Sequence, residues 1–177
     1  MTGPLIAAEE LRQLLGEVSV LDVRYRMGGP PGREEYLAGH VPGAAYVDME
    51  TDLAAPPGQG GRHPLPDPAV FGAAMRWCGV GRARPVVVYD DWGAHAAGRA
   101  WWLLRHHGHP DVRVLDGGWP AWLRAGGIAE TGEPAVAEGD FEPTPGVLPV
   151  VDAEDVLGMP ALVDARAPER YRGETEP

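Results

Sequence analysis

A short β-branched run, a glycine-bearing loop and a long apolar helix follow one another between Pro85 and Arg105. Val86 to Tyr89 carries no charge and is too short for a buried helix, so it predicts an interior parallel strand. The residues from Ala94 to His106 predict a helix that packs on the sheet. Asp90, at the carboxyl end of the strand, is therefore expected at the rim where parallel sheets bind ligands.

An Asp at this position can cap the loop, act as a nucleophile or bind a metal. Capping is the simplest role, because an Asp side chain readily accepts hydrogen bonds from backbone amides two residues on. A phosphoaspartate enzyme would usually carry a second acid two residues later, where this chain has Trp92. A phosphatase-like or haloacid-dehalogenase-like enzyme that uses Asp90 remains an alternative, although this spacing disfavours metal-assisted phosphoryl transfer.

Composition narrows the function classes. The 177 residues suffice for one well-buried core, and the formal net charge of −11 disfavours nucleic acids and anionic membranes as partners. Cys78 is the single cysteine, so the sequence predicts no disulfide framework and favours a reducing compartment. No basic leader and no apolar run of membrane-spanning length is present, so we expect a cytoplasmic protein.

Strands and helices alternate along the first 130 residues. This order predicts an α/β fold with a mainly parallel sheet and helices on both faces. The predicted strands are Val18–Val23, Ala45–Val47, Val86–Tyr89 and Val112–Leu115, and the main helices are Glu9–Leu15, Asp67–Trp77, Ala94–His106 and Trp119–Ala125. Residues 131–149 are rich in Glu, Gly, Pro and Thr, which indicates a linker after a first domain of residues 1–130.

The last 28 residues repeat the beginning of the chain. Pro149 to Val156 parallels Pro4 to Leu11, and Ala161 to Arg166 parallels Val20 to Arg24 around a shared Asp-x-Arg. We therefore expect a second copy of the unit to begin at residue 150, truncated at residue 177, with a strand over 161–163.

Six motifs in order carry a family resemblance. They are Leu21-Asp-Val-Arg24, Gly39-His-Val-Pro-Gly-Ala44, Gly61-Arg-His-Pro-Leu-Pro66, Val86-Val-Val-Tyr-Asp90, Asp116-Gly-Gly-Trp-Pro-Ala-Trp122 and Arg170-Tyr-Arg-Gly-Glu-Thr-Glu-Pro177. Their order and spacing over nearly the whole chain resemble the tandem-domain thiosulfate sulfurtransferases, the rhodanese family.

The resemblance implies a persulfide enzyme whose first domain lacks the nucleophile. In that family the active-site cysteine ends the central strand and a glycine follows three residues later, and Asp90 and Gly93 hold those positions here. Tandem members usually supply the working cysteine from the second domain. The full protein would transfer sulfane sulfur from thiosulfate or 3-mercaptopyruvate to a thiophilic acceptor, whereas this chain alone is predicted to be inactive, with no catalytic residue.

The same resemblance implies binding and structural residues. Arg170 matches the arginine that binds the sulfonate end of the donor, and guanidinium suits such an anion. Asp22 and Arg24, repeated as Asp164 and Arg166, are expected with Gly93 to brace the loop rather than to catalyse. The implied partners are a small anionic sulfur donor and the missing second domain, on which the first would pack, and no cofactor is expected. A noncatalytic binding or regulatory module is the alternative.

The remaining reactive side chains have structural explanations. Cys78 ends an apolar helix and is expected to be a buried thiol. His106, His107 and His109 gather at a helix end, where histidine complements the helix dipole, so we predict no metal site. His63 is expected to hydrogen bond within its loop. Arg99 is expected to pair with an acid or to contact the second domain.

Overall fold

Five parallel strands form the centre of the molecule in the computed structural model, which describes residues 3–58 and 61–175. The strands are β1 (Leu5–Ile6), β2 (Ser19–Asp22), β3 (Ala45–Tyr46), β4 (Val86–Tyr89) and β5 (Val112–Leu115), in the order β1-β5-β4-β2-β3. All neighbouring strands run parallel. The strand that ends at Asp90 therefore lies in the middle of the sheet, as its uncharged sequence predicts.

Helices cover both faces of the sheet. Their bounds are α1 (Ala8–Leu14), α2 (Gly32–Ala38), α3 (Pro68–Trp77), α4 (His95–His106), α5 (Gly118–Arg124), α6 (Ala153–Val156) and α7 (Pro168–Tyr171). Side chains of β4 alternate between two cores: Val86 and Val88 pack with α3 and α4, and Val87 and Tyr89 pack with α1 and α5. The predicted α/β fold with a parallel sheet and helices on both faces is confirmed.

Local sequence explains where α3 begins. The Asp67 carboxylate accepts hydrogen bonds from the amides of Ala69 and Val70, and Pro68 takes the first helical position. The edge strand β1 was not predicted. It has two residues, and it pairs with β5 through tertiary contacts that a local pattern does not encode.

The segment 131–149, predicted as a linker, forms several hydrogen bonds with the first unit. The amide of Gly139 donates to the carbonyl of Arg76, and that of Thr144 donates to the carbonyl of His107. Phe141 is buried in the same core as α3 and α4. This segment therefore contributes a side chain to the core of the first unit and packs against that unit.

The C-terminal residues 150–175 contrast with this packing. Nearly all are exposed, including Leu157 and Val163, and two four-residue helices, α6 and α7, are their regular elements. Ala161–Val163 forms no strand, contrary to expectation, because a parallel strand needs hydrogen bonds from neighbours and the described residues provide none here. The domain boundaries stay predictions. No helix among the described residues is long and apolar enough to cross a membrane.

Candidate functional site

The loop after β4 is organised around the carboxylate of Asp90, which is 1% exposed. Its Oδ1 accepts hydrogen bonds from the amides of Trp92 and Ala94, at 3.0 and 2.9 Å. Its Oδ2 accepts from the amides of Ala96 and Ala97, at 2.9 and 3.0 Å. Four amides of the loop and the first turn of α4 thus point at one side chain, and that anion also suits the positive end of the helix dipole.

Backbone shape makes this ring of amides possible. Gly93 and Ala94 have φ angles of 67° and 65°, so two successive residues take the left-handed conformation that turns the loop inward. On the far side, the amide of Trp119 donates to the carbonyl of Asp90 at 2.8 Å. A Cβ on Gly118, which has a φ of 56°, would overlap that carbonyl oxygen. The loop and the start of α5 are therefore held against each other.

Asp91, the next residue, is paired and not a free negative charge. It forms an ion pair with Arg26, whose guanidinium also lies 3.6 Å from Glu35. Asp91 hydrogen bonds and charge raise the pKa of Arg26. The negative charge that Asp91 adds beside the loop is therefore balanced by Arg26.

Asp22 and Arg24 form a buried network beneath the loop. The guanidinium of Arg24 makes bidentate contact with Asp22, at 2.7 Å between Nη2 and Oδ2, and donates to the carbonyl of Gly39 at 2.6 Å. The hydroxyl of Tyr89 donates to Asp22 at 2.6 Å. Although burial opposes the charge, the hydrogen bonds of Asp22 raise the pKa of Arg24. The network ties β2, β4 and the start of the segment at Gly39 together.

Trp119 links this network to the loop. The guanidinium of Arg24 lies 5.1 Å from the centre of the Trp119 ring, and the Tyr89 ring stacks on the same indole at 6.2 Å. Because the amide of Trp119 also donates to the Asp90 carbonyl, this one residue contacts both the network and the loop. The roles predicted for Asp22, Arg24 and Gly93 stay predictions, and this is the geometry on which they rest.

A cavity of about 210 Å³ opens beside the loop. It is lined by Tyr25, Met27, Met49, Arg62, His63, Trp92, His95 and Ala96. Trp92 and His95 stack at 4.6 Å, and Arg62 touches the sulfur of Met27. Three basic side chains and two aromatic rings thus meet next to the Asp90 loop. Three separate loops contribute to this set, so no local pattern predicts it, and the Gly61-Arg-His-Pro motif signals only part of it.

Cys78 lies elsewhere, at the end of α3. It is buried, and its sulfur lies 3.4 Å from the carbonyl of Tyr46. Burial, with a smaller effect of the Asp52 charge, raises the pKa of the thiol to about 12. At neutral pH it therefore carries its proton and is a poor nucleophile.

The predicted second-unit residues lie in the exposed C-terminal stretch. Arg166 pairs with Asp164 at 2.6 Å, and Arg170 lies in α7. Hydrogen bonds from Arg166, with help from the charge of Arg170, lower the pKa of Asp164 to about 2. The role of Arg170 in binding a donor stays a prediction.

The histidines at the end of α4 and just after it contact backbone carbonyls. His106, His107 and His109 contact the carbonyls of Leu148, Leu103 and Gly81 in turn. Burial lowers the pKa of His107 and of His109. Among the described residues no group of three or more His, Cys, Asp or Glu could hold a metal ion.

Arg99 differs from expectation. Its guanidinium donates to the carbonyls of Leu53, His63 and Pro64, so it holds the 53–64 loop instead of pairing with an acid.

Comparisons with known proteins give a consistent family. SseB of Mycobacterium tuberculosis is 44% identical over 183 residues, which cover 98% of this chain and 64% of SseB. Mouse thiosulfate sulfurtransferase is 37% identical over 183 residues, 96% of this chain and 60% of that enzyme. The crystal structure of SseA from Escherichia coli, a 3-mercaptopyruvate sulfotransferase with a rhodanese fold, superposes with a TM-score of 0.85 at 33% identity. That match covers 98% of this chain and 69% of SseA.

The chain thus spans less than two thirds of the length of these two sequence relatives. Residues 7–125 match the family model described as the rhodanese-like domain. This match covers most of both cores, the Asp90 loop and α5, and the relatives whose names state an activity are sulfurtransferases. The chain belongs to the rhodanese-like domain family.

Proposed function

We propose that this chain is the noncatalytic rhodanese-like unit of a sulfurtransferase. In the proposed reaction a cysteine outside these 177 residues attacks the outer sulfur of a small anionic donor. With thiosulfate, the S–S bond breaks, sulfite leaves and the cysteine becomes a persulfide. A thiophilic acceptor then takes the outer sulfur and regenerates the thiolate. The two donor classes considered are thiosulfate and 3-mercaptopyruvate, after the names of the relatives.

The observation that carries this proposal is the occupied ring of amides at Asp90. A persulfide enzyme needs such amides to stabilise the thiolate and the sulfur anion that it becomes. Here both oxygens of the Asp90 carboxylate already accept two amides each. The loop therefore keeps the shape of an anion site while its own side chain fills that site, and a carboxylate cannot carry sulfane sulfur.

Cys78 does not replace the missing nucleophile. Its thiol lies at the end of α3, is buried, and has a pKa of about 12. An internal persulfide at Cys78 would need a thiolate that this environment disfavours.

The cavity beside the loop supports a role in holding the donor. Arg62, His63 and His95 bring positive charge or hydrogen-bond donors to a depression of about 210 Å³, which fits a small anion. In the proposed enzyme this cavity is one wall of the reaction site, and the cysteine and Arg170 belong to the other. The same cavity also supports the second candidate function, a noncatalytic module that binds an anion or a partner for regulation.

An enzyme that uses Asp90 as its nucleophile is a poorer fit. Attack requires an exposed oxygen with a lone pair directed at the substrate, and Asp90 is buried with both oxygens engaged by amides. Asp91 is paired with Arg26 and is also unsuited to serve as the attacking group.

The test is thiocyanate formation from thiosulfate and cyanide by the 177-residue chain. We expect no turnover above the uncatalysed rate, with mouse thiosulfate sulfurtransferase assayed in parallel as the active control. Cys78→Ala should behave as the wild type does. Turnover that disappears in Cys78→Ala would make Cys78 the nucleophile and overturn the proposal.

A binding experiment separates the two candidate functions. Saturable shifts of the His63 and His95 ring resonances with thiosulfate or 3-mercaptopyruvate, lost in Arg62→Ala, are expected for the sulfurtransferase unit. Failure of both donors to bind would favour the regulatory module.

A further inference from the structure

A groove on the β3 edge of the sheet, at the end of α3, has no part in the function proposed above. Two adjoining depressions of about 340 and 570 Å³ share Arg33, Tyr46, Trp77 and Cys78 as lining residues. Residues 133–138 border the first depression and the loop at residues 48–52 borders the second. These two depressions are called the Trp77 groove here.

Trp77 is the unusual residue of the groove. Its surface is 79% exposed, although it occupies the last turn of a well-formed ten-residue helix. Trp92, within the Asp90 loop, is 38% exposed. An indole held in water on a rigid helix carries a large apolar face that gains free energy when a partner covers it.

The charged side chains that line the groove are mostly acidic. Glu133 and Glu138 lie along the first depression, and Asp48 and Asp52 lie along the second. Arg33 is the one cation among the described lining residues, and Glu133 binds its guanidinium at 2.9 and 3.0 Å. The remaining charge is negative, on a chain whose formal net charge is −11.

The groove already contains a guanidinium beside an aromatic ring. The guanidinium of Arg33 lies 5.9 Å from the centre of the Tyr46 ring, and the Glu133 carboxylate binds the same guanidinium at 2.9 Å. An arginine between an aromatic face and a carboxylate is thus a stable arrangement in this groove. Trp77 and Glu138 both line the first depression, so the groove contains a second aromatic ring and a second carboxylate.

We propose that the Trp77 groove docks an extended basic segment of a partner protein, with one arginine side chain of that segment laid over the Trp77 indole. Three features select this occupant. The acidic rim favours a cation, the indole and the uncharged Cys78 and Tyr46 favour an apolar stem, and the two joined depressions favour an extended chain over a compact ion. An acidic or nucleic-acid partner would face like charge here.

The experiment uses the 177-residue chain labelled with ¹⁵N and the peptide acetyl-Gly-Arg-Gly-Arg-Gly-amide. The indole N–H resonance of Trp77, identified by its absence in Trp77→Ala, should shift and saturate at low ionic strength. Affinity should fall about fivefold or more in Trp77→Ala and about twofold in Glu138→Gln. Trp92→Ala is the matched control, since it removes an exposed indole from another surface, and it should bind as the wild type does.

Three results would overturn the proposal. The first is equal binding of the peptide in which both arginines are replaced by serine, which would mean that charge is not recognised. The second is a peptide affinity unchanged in Trp77→Ala, which would mean attraction to the net negative charge of the whole surface. The third is free methylguanidinium binding as tightly as the peptide, which would make the groove a site for a small cation.

Discussion

The same three-residue motif occurs in two surroundings in this chain. In both Asp22-Val-Arg24 and Asp164-Ala-Arg166, the arginine amide and guanidinium bind the aspartate two residues earlier. The Nη2 to Oδ2 distances are 2.7 and 2.6 Å, and the amide to Oδ1 distances are 3.0 and 2.9 Å. The arginine and aspartate side chains are 4% and 0% exposed in the first pair and 44% and 30% in the second.

This difference separates what local sequence determines from what the fold adds. Asp-x-Arg forms its ion pair from its own backbone geometry, in the sheet and outside it. In the first unit, Tyr89 and the carbonyl of Gly39 extend that pair into a network that joins β2, β4 and the segment at Gly39. Burial then makes each member depend on the others, because an unpaired charge in a buried site is costly.

The largest expected effect comes from a substitution that breaks the buried ion pair. Arg24→Ala leaves Asp22 as a buried, unpaired carboxylate and frees the carbonyl of Gly39, so the free energy of unfolding should fall by about 3–5 kcal/mol. Arg166→Ala, the matched substitution in the exposed copy, should leave the urea midpoint of the first unit unchanged. Equal losses of stability in the two variants would mean that burial does not determine how much the Asp-x-Arg ion pair contributes to the free energy of unfolding.

A second pair of carboxylates sharpens the comparison. Asp90→Ala leaves four amides of the loop and α4 without their acceptor and should lower the free energy of unfolding by about 2–3 kcal/mol. Formate should restore part of this loss, because a small carboxylate can enter the vacated ring of amides, whereas equal ionic strength of chloride should restore less. Asp164→Ala is the control and should show neither the loss nor the recovery.

A wild-type midpoint in Asp90→Ala would show that water satisfies these amides. The Asp90 carboxylate would then not be what holds the loop, and the argument for an occupied anion site would fail.

The sequence was informative where a pattern is local. Uncharged Val86–Tyr89 identified the central strand, and Asp67-Pro68 identified the start of α3. The position of Asp90 at the strand end also followed from this pattern. Its four amide partners did not, because they depend on left-handed backbone at Gly93 and Ala94, and alanine gives no signal for that conformation.

Long-range contacts account for most of what was missed. Arg26 pairs with Asp91 across 65 residues of sequence, and Arg99 reaches carbonyls of the 53–64 loop. The polar, proline-rich composition of residues 131–149 predicted a linker, and one aromatic residue of this segment, Phe141, inserts into the core. Composition averages over a segment, whereas a single buried ring can hold that segment against a domain.

The smallest expected effect is the change of folding stability as the pH is lowered. His107 and His109 are buried, and burial lowers their pKa values below the ordinary value of 6.5. The nitrogen Nδ1 of His109 accepts from the amide of Asp111, so a proton there would oppose a donor. Between pH 6.5 and the lower folded pKa, the unfolded chain binds protons that the folded chain excludes. Stability should therefore fall as pH falls, by at most about 1.4 kcal/mol per pH unit for each histidine.

Urea midpoints at pH 7.5, 6.5 and 5.5 measure this slope, and His109→Gln should reduce it. In the exposed copy, the pKa of Asp164 is lowered to about 2. Its ion pair with Arg166 is therefore lost as the pH falls from the ordinary pKa of an aspartate to about 2, far below the range in which the histidines titrate. A wild-type midpoint that stays constant from pH 7.5 to 5.5 would contradict this prediction. It would show that His107 and His109 accept protons in the folded state, and that burial does not control their charge in the way that it controls the contribution of Arg24 to stability.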